Sequence, residues 1–386
     1  MRFFHLSDLH IGKVVNRYSM LDEQRHVFGQ IIDYIKAERP SAVIIAGDVY
    51  DRAIPSVEAV RLFDDFLTEL AYKDIAIMLI SGNHDSPERM SYASRLLSDK
   101  KLFLCGTFSG KLHKLVLTDE YGEANFWLLP FIKPLSVRGF FDQCEFESYS
   151  DALATILETA NIDYTSRNVL VSHQYYTKAG LTLQRSESEL NPVGGLDAID
   201  SGLIERFDYV ALGHLHGAQS VGASHIRYAG SPLKYSFSEW RHEKSVSLVE
   251  LNEKGNLGIT PLPLTPIRNM REIKGKIDKL MSSEISSLAD KEDYLRVILT
   301  DEEEIIDPMG KLRSVYPNVM SLDFENSRTG IDIYAIAGAN IATAEKIESL
   351  SPYDLFNDFF LETQGSTMNA EQVEIVRELL ESEVTP

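Results

Sequence analysis

The chain has 386 residues, 44% of them apolar, and a formal net charge of −20. That length exceeds one typical domain and suits two or three, with apolar residues enough for at least one large core. The acidic balance excludes a protein that coats nucleic acid through its overall field, since neutralising phosphates needs clustered lysine and arginine, but it leaves room for a nucleic-acid enzyme whose carboxylates are neutralised by cations. Residues Met1 to Asp8 open like a signal peptide, yet Asp8 and His10 cut the apolar stretch short of an h-region. No stretch approaches the roughly 20 apolar residues that cross a bilayer. Cys105 and Cys144 are the two cysteines, too few for a disulfide framework, so a reduced, cytoplasmic location without membrane association is expected.

Residues 1 to about 130 read as strand-then-helix units. Phe3 to Leu6, Ala42 to Ala46 and Ile75 to Ile80 are short apolar runs with β-branched residues, separated by helical patterns over 22–38 and 56–72. Later runs at Lys111 to Leu117, Asn125 to Leu129, Asn168 to Val171, Tyr209 to Leu212, His225 to Tyr228 and Ser245 to Leu251 predict a second sheet facing the first. The expected architecture is an α/β, four-layer α/β/β/α sandwich over residues 1–266. Pro261, Pro263 and Pro266 punctuate its end. Residues 267–345 then alternate in smaller units: Arg268 to Ile273, a helix from Gly275, Tyr294 to Leu299, a helix from Asp307, and Met320 to Phe324. These predict a small α/β capping domain in which Asp301 to Glu304 is an exposed acidic loop. The tail over 346–386 carries two amphipathic patterns, one with Leu355, Phe356, Phe359 and Phe360, the other with Val373, Ile375, Val376, Leu379 and Leu380, joined by Gln364 to Thr367. Two short helices cannot bury that surface on each other, so a partner's groove or coiled coil is expected, with packing back onto the capping domain as the alternative.

Five polar motifs follow the apolar runs: Asp8-Leu9-His10, Gly47-Asp48-Val49-Tyr50-Asp51, Gly82-Asn83-His84-Asp85, Ser172-His173 and Gly213-His214-Leu215-His216. In sheets built from strand-helix crossovers, ligands gather at the carboxyl ends of the strands, where these motifs sit. Carboxylate, amide oxygen and imidazole are ligands for manganese, iron or zinc, and no cysteine sits among them. The spacing of two in Asp8/His10 and His214/His216 points each pair to one side, and the missing side chain of Gly47 is expected to make room for the Asp48 carboxylate. One such motif is unremarkable alone, but the ordered set uses five of ten histidines and has no comparable structural explanation. The nearby Lys13, Arg17, Arg52 and Arg89 read either as a basic patch or as solvated surface charge. The chain has no Gly-x-x-x-x-Gly-Lys-Ser/Thr phosphate loop.

This ordered set resembles the calcineurin-like metallophosphoesterase superfamily over residues 1 to about 250. Within it, Phe4 to Lys13, Ala46 to Asp51, Ser81 to Ser86, Ala211 to His216 and Tyr228-Ala229-Gly230-Ser231-Pro232 look closely like the SbcD family of nuclease subunits. The resemblance implies a metal-dependent nuclease acting on DNA ends and hairpins, as a double-strand exonuclease and single-strand endonuclease, in DNA repair, recombination and replication. It implies two divalent ions, with Mn2+ preferred: one on Asp8, His10, Asp48 and His216, the other on Asp48, Asn83, His173 and His214. It further implies a homodimer whose tail, over residues 351–386, docks on an SbcC-type coiled-coil ATPase. His84 is the candidate for protonating the leaving oxygen. Asp85 reads either as its orienting partner or as the cap of a helix starting near Pro87. Asp51 departs from archaeal relatives, which carry histidine there; its role could be to hold His84, to bind an outer water, or to cap a turn. The alternative function is a phosphatase or phosphodiesterase of the same superfamily acting on a small or protein substrate.

Overall fold

The runs that alternate with the two long helices pair side by side in a parallel sheet, because each crossover returns the chain to the same end. The computed structural model describes residues 1–141, Phe146, 148–189 and 198–326, together with scattered positions between 353 and 376. Among the described residues the main strands are β1 (Arg2–Leu6), β2 (Ala42–Ala46), β3 (Ala76–Ile80), β4 (Leu102–Cys105), β5 (His113–Asp119), β6 (Gly122–Leu129), β7 (Arg167–His173), β8 (Tyr209–Gly213), β9 (Gln219–Val221), β10 (Ala223–Tyr228), β11 (Ser245–Leu251) and β12 (Leu257–Pro263). The first sheet has the order β12-β11-β1-β2-β3-β4 and the second β9-β10-β8-β7-β6-β5. In the first, β1 to β4 are parallel, and β11 and β12 are added antiparallel. In the second, β6, β7, β8 and β10 are parallel, with antiparallel edge strands β5 and β9.

Strands buried on both faces explain the near-continuous apolar runs. The inward faces meet in one core, with Phe3, Ile44 and Met78 of the first sheet against Phe126, Val169 and Tyr209 of the second. Phe3 sits edge-on to Phe126, with ring centroids 5.5 Å apart. Outside the first sheet, α1 (Leu21–Glu38) and α2 (Val57–Ala71) bury Phe28, Ile31, Ile35, Leu62 and Phe66, and Phe28 stacks on Phe66. Outside the second, α3 (Tyr149–Thr159) buries Leu153 and Ile156 in a cluster with Leu129, Leu170 and Val210. The result is a four-layer α/β/β/α arrangement. His5, inside the first motif's strand, is a core histidine: it is fully buried, bonds Tyr209 Oη at 2.8 Å, and burial pushes its pKa down to about 3.

Pro261 and Pro263, read from the sequence as a break, lie inside β12. That strand is the edge of its sheet, where a residue without an N–H leaves no ladder bond unmade. The chain divides after Met270 into two compact units, close to the boundary expected near residue 266. In the second unit, strands β13 (Met270–Gly275), β14 (Tyr294–Leu299) and β15 (Val319–Phe324) form a sheet in that order, and Ile277, Leu280, Leu295, Val297 and Leu312 form its core. Asp301 there accepts a bond from Ile277 N at 2.9 Å, which ties down the first residue of the acidic loop, while Glu302 to Glu304 are exposed. In the tail, Phe356 and Gln372 to Val376 are helical. Leu355, Phe359, Leu379 and Leu380 lie outside the described residues, as does most of the link between the two patterns.

The inter-sheet core sets the relative position of the two sheets, so truncating its centre should be costly. Phe126→Ala is expected to lower the stability of the first unit by about 3–5 kcal/mol, read by urea denaturation with tryptophan fluorescence. Both tryptophans, Trp127 and Trp240, belong to that unit.

Candidate metal centre

At the carboxyl ends of β1, β2, β3, β7 and β8 the five motifs converge. Asp8 and His10 lie beyond the end of β1, and His214 and His216 beyond the end of β8, so strand alternation does not set their direction as their spacing suggested. Their backbones turn instead: Asp8, His10, Asp48 and His214 have φ of 52°, 43°, 49° and 110°. For residues with a Cβ each such conformation costs about 1–3 kcal/mol and persists only where the surroundings impose it. Here a backbone ladder imposes it, with Asp8 N donating to Gly47 O at 3.1 Å, His10 N to Asp48 O at 3.0 Å and Ile11 N to Val49 O at 2.9 Å. Gln24 of α1 clamps the same loop, donating to Leu9 O and His10 O and accepting from Gly12 N.

Two glycines are required by close approach. A Cβ on Gly82 would lie 2.1 Å from Asp48 Oδ1, whereas one on Gly47 would lie 2.3 Å from His173 Nδ1. Gly47 therefore makes room for the histidine, and Gly82, not Gly47 as expected, makes room for the aspartate.

Asp48 is the centre of the site. Its Oδ2 lies 3.3 Å from His173 Nε2 and 3.7 Å from His10 Nε2, while its Oδ1 accepts a bond from His84 N at 2.9 Å. Asn83 Oδ1 lies 3.1 Å from His173 Nε2 and 3.0 Å from His214 Nδ1. His10 Nε2 and His216 Nε2 are 3.1 Å apart, and both Asp8 oxygens accept from His214 N. Candidate ligand atoms of Asp8, His10 and His216 lie within 4.8 Å of one another, as do those of Asp8, Asp48 and His173. The structure thus brings together all seven expected ligands.

Electrostatics divides the histidines. Burial acts most strongly on His173 and lowers its pKa, but Asp48, at contact distance, outweighs it and lifts the ring to about 9. Burial would likewise raise Asp48, yet His173 and the other rings hold it well below the usual carboxylate range. Burial depresses His214 to about 3 and His10 well below its ordinary value. For His216 burial is again the largest influence, but Glu239 overcomes it and raises the ring. Burial, with Asp48 nearby, raises Asp85 to about 6.

The residues fit divalent cations. His10 Nδ1 and His214 Nε2 are buried without hydrogen-bond partners, and imidazole nitrogens gather beside carboxylates, His10 Nε2 facing His216 Nε2, an arrangement that a cation between them stabilises. His173 donates from Nδ1 to Ala46 O at 2.7 Å, which leaves Nε2 as its donor atom toward Asp48 and Asn83.

His84 is half-buried beside this cluster, its ring edge-on to His10, and its Nδ1 bonds the backbone carbonyl of Asp51 at 3.0 Å. Asp85 does not touch that ring. Its carboxylate accepts from Val49 N, Tyr50 N and Gly82 N at 2.9–3.1 Å, and the cap of the short helix from Pro87 is Ser86. Both expected roles of Asp85 are therefore corrected: it clamps the Asp48 loop to the Asn83 loop. The Asp51 side chain pairs with Lys13 at 2.8 Å, which removes Lys13 from the free basic patch, and it also lies 3.7 Å from both His10 Nδ1 and the exposed Arg52 Nε.

Sequence reasoning missed Gln24, Ser188, Glu189, Glu239 and Lys244. His216 Nδ1 faces Ser188 Oγ at 2.8 Å and Glu239 Oε1 at 3.2 Å, its backbone N donates to Glu189, and Glu239 pairs with Lys244 at 2.6 Å. None of these lies at a strand end, and Ser236 to Lys244 reads as an ordinary polar loop.

Residues 1–218 match the model of the calcineurin-like phosphoesterases, and residues 266–364 match that of the type 5 capsule protein repressor C-terminal domain. The SbcD subunit of the nuclease SbcCD from Staphylococcus epidermidis is 33% identical over 325 residues, covering 83% of this chain and 85% of that one. The chain belongs to the SbcD family. Among solved structures, a dimetal phosphatase from Danio rerio is 14% identical with a TM-score of 0.41, over 69% of this chain and 99% of its own. A phosphopantetheinyl hydrolase from Mycobacterium tuberculosis is 16% identical with a TM-score of 0.37, over 62% and 91%. Family membership makes this chain a divalent-metal-dependent hydrolytic phosphodiesterase, and the cluster is its candidate metal site. Among the described residues no helix is long and apolar enough to cross a membrane.

A proton on His173 must leave before Nε2 can bind a cation, and with a pKa of about 9 the metal-free site carries it at neutral pH. Metal loading should therefore release a proton from the raised ring of His173 and none from His10 or His214, with apparent affinity falling as pH falls below about 9. Calorimetric titration in buffers of different ionisation enthalpy measures that release.

Proposed function

We propose that this chain is the metal-dependent nuclease subunit of an SbcCD-type complex, cleaving DNA ends and hairpins as a double-strand exonuclease and single-strand endonuclease. The observation that carries the reading is Asp48, held between His173 at 3.3 Å and His10 at 3.7 Å with a histidine that is no part of either ligand set, His84, on its flank. Family membership and the name of the Staphylococcus epidermidis relative support DNA as substrate. Asp8, His10, Asp48 and His216 would hold one ion and Asp48, Asn83, His173 and His214 the other, with Mn2+ the proposed metal. When bound, the pair would supply Lewis acidity to the phosphoryl oxygens and lower the pKa of an attacking water.

The chain's own groups then do the rest. The carbonyl of Asp51 accepts from His84 Nδ1–H, so Nε2 is the atom that gives a proton to the departing oxygen or bonds the phosphoryl group. Asp85 keeps the loops of Asp48 and Asn83 in register, so that the bridging ligand and the proton donor stay at a fixed separation. Asp51 acts through its backbone on His84 and through its carboxylate on Lys13. Arg17 and Arg52, both exposed near the site, are proposed to meet the DNA backbone. The tail over 351–386 is proposed to dock on the SbcC-type coiled-coil ATPase, the chain to act as a homodimer, and the complex to work in the cytoplasm; a half-buried free thiol at Cys105 suits a reduced compartment.

His84→Ala should lower cleavage of a DNA hairpin in Mn2+ by about 10²–10⁴-fold while metal content, read by elemental analysis, stays as in the unaltered chain. Undiminished cleavage removes His84 from the reaction. Hydrolysis of para-nitrophenyl phosphate without any cleavage of DNA would instead select a phosphomonoesterase. Deleting residues 351–386 should abolish co-purification with the ATPase and leave the metal-dependent activity of the isolated chain in place.

A further inference from the structure

Four of the imidazoles at this site, those of His10, His173, His214 and His216, are proposed ligands, and their nitrogens are held in different ways. Nδ1 of His173 meets a backbone carbonyl, a neutral acceptor that any residue supplies. Nδ1 of His10 has no hydrogen-bond partner, and the Asp51 carboxylate lies 3.7 Å from it. His216 alone among them turns its Nδ1 to an anion within hydrogen-bond reach. That anion is Glu239, met directly at 3.2 Å and through Ser188, whose hydroxyl lies 2.8 Å from the ring and donates to the same carboxylate oxygen at 2.7 Å.

The carboxylate is built in. Glu239 has no exposed surface, ends a short turn of 3-10 helix capped by Ser236, and its second oxygen takes the Lys244 ammonium at 2.6 Å. Lys244, itself buried, also donates to the carbonyl of His216 at 2.9 Å and to Ser231 Oγ at 2.8 Å. The pair therefore grips His216 by its ring and its backbone at once, while Glu189 takes its N–H at 2.7 Å. A buried ion pair is costly to assemble unless each remaining lone pair and proton is used. Here they are used on one residue and its neighbours.

We infer that Glu239 is a positioning residue: it fixes the Nδ1–H tautomer of His216, aims Nε2 at the position shared with His10 and Asp8, and so sets the affinity of that one cation site. The inference rests on the ligand assignment proposed above. An anionic partner makes an imidazole a stronger donor than a carbonyl partner does, so the two cation sites differ in what holds their histidines. Asn83, His173 and His214, which belong to the second ion alone, contact one another and not Glu239, so that site should feel its charge far less.

Mn2+ titrated into the metal-free full chain tests this, comparing the unaltered protein with Glu239→Gln, which keeps the shape and removes the charge, and with Glu239→Asp, which keeps the charge and shortens the reach. Glu239→Gln should weaken one of two ions by about 10–100-fold and leave the other within about twofold, with Glu239→Asp in between. Unchanged binding of both ions, or parallel loss of both, overturns the inference. Failure of the unaltered chain to take up two ions overturns the ligand assignment instead. Should Glu239→Gln not fold, the nitrogen spectrum of histidine-labelled unaltered protein with Zn2+ decides: His216 should show a hydrogen-bonded Nδ1–H and a coordinated Nε2, and a ring protonated at Nε2 overturns the inference.

Discussion

The structure turns on one buried negative charge. Asp48 has almost no contact with solvent, and a carboxylate removed from water is tolerated only with partners of opposite charge and enough donors for its oxygens. His173 comes from the second sheet to supply the charge, and His84 N supplies a donor. The two sheets must therefore pack in one register, and the pairing of Gly213 with His173 across β7 and β8 then places the last motif over the same spot. The core of Phe3, Phe126 and Tyr209 sets the separation across which Asp48 and His173 meet.

Holding such a cluster needs stiff loops, and stiffness is obtained at the cost of strain. Four of the seven proposed ligand residues, Asp8, His10, Asp48 and His214, have positive φ, a conformation the isolated chain would leave. The ladder between the Asp8 and Asp48 loops, the three amide bonds to Asp85 and the clamp of Gln24 offset that strain. Cations placed among these side chains would meet donors already in position, so little ordering would remain for binding to supply.

The acidic balance of the whole chain and the chemistry of the site are separate matters. Cations bound at the proposed site would neutralise the buried carboxylates locally, and Lys13 pairs with Asp51 at the rim. Asp51 thus presents a carboxylate whose charge is answered by a lysine, and a backbone carbonyl that carries the contact to His84. Substitution of the side chain there leaves the contact to His84 available, because it is made by a carbonyl that every residue has.

The sequence by itself determined the elements and the location of the chemistry. Apolar runs such as Ala42–Ala46 and Ala76–Ile80 can only be buried strands, and polar motifs at their ends can only face the edge where ligands gather. It could not show that Pro261 and Pro263 lie in an edge strand, because the lack of a neighbour on one side is a property of the sheet. Nor could it show that Gly82 makes room for Asp48, that Asp85 clamps two loops, or that Glu239 stands behind His216. A strand or helix is written in local periodicity, which repeats every few residues. A buried charge is stabilised by whatever partner the fold brings to it, and Glu239, Lys244 and Gln24 become partners only once loops distant in sequence close around the same atoms.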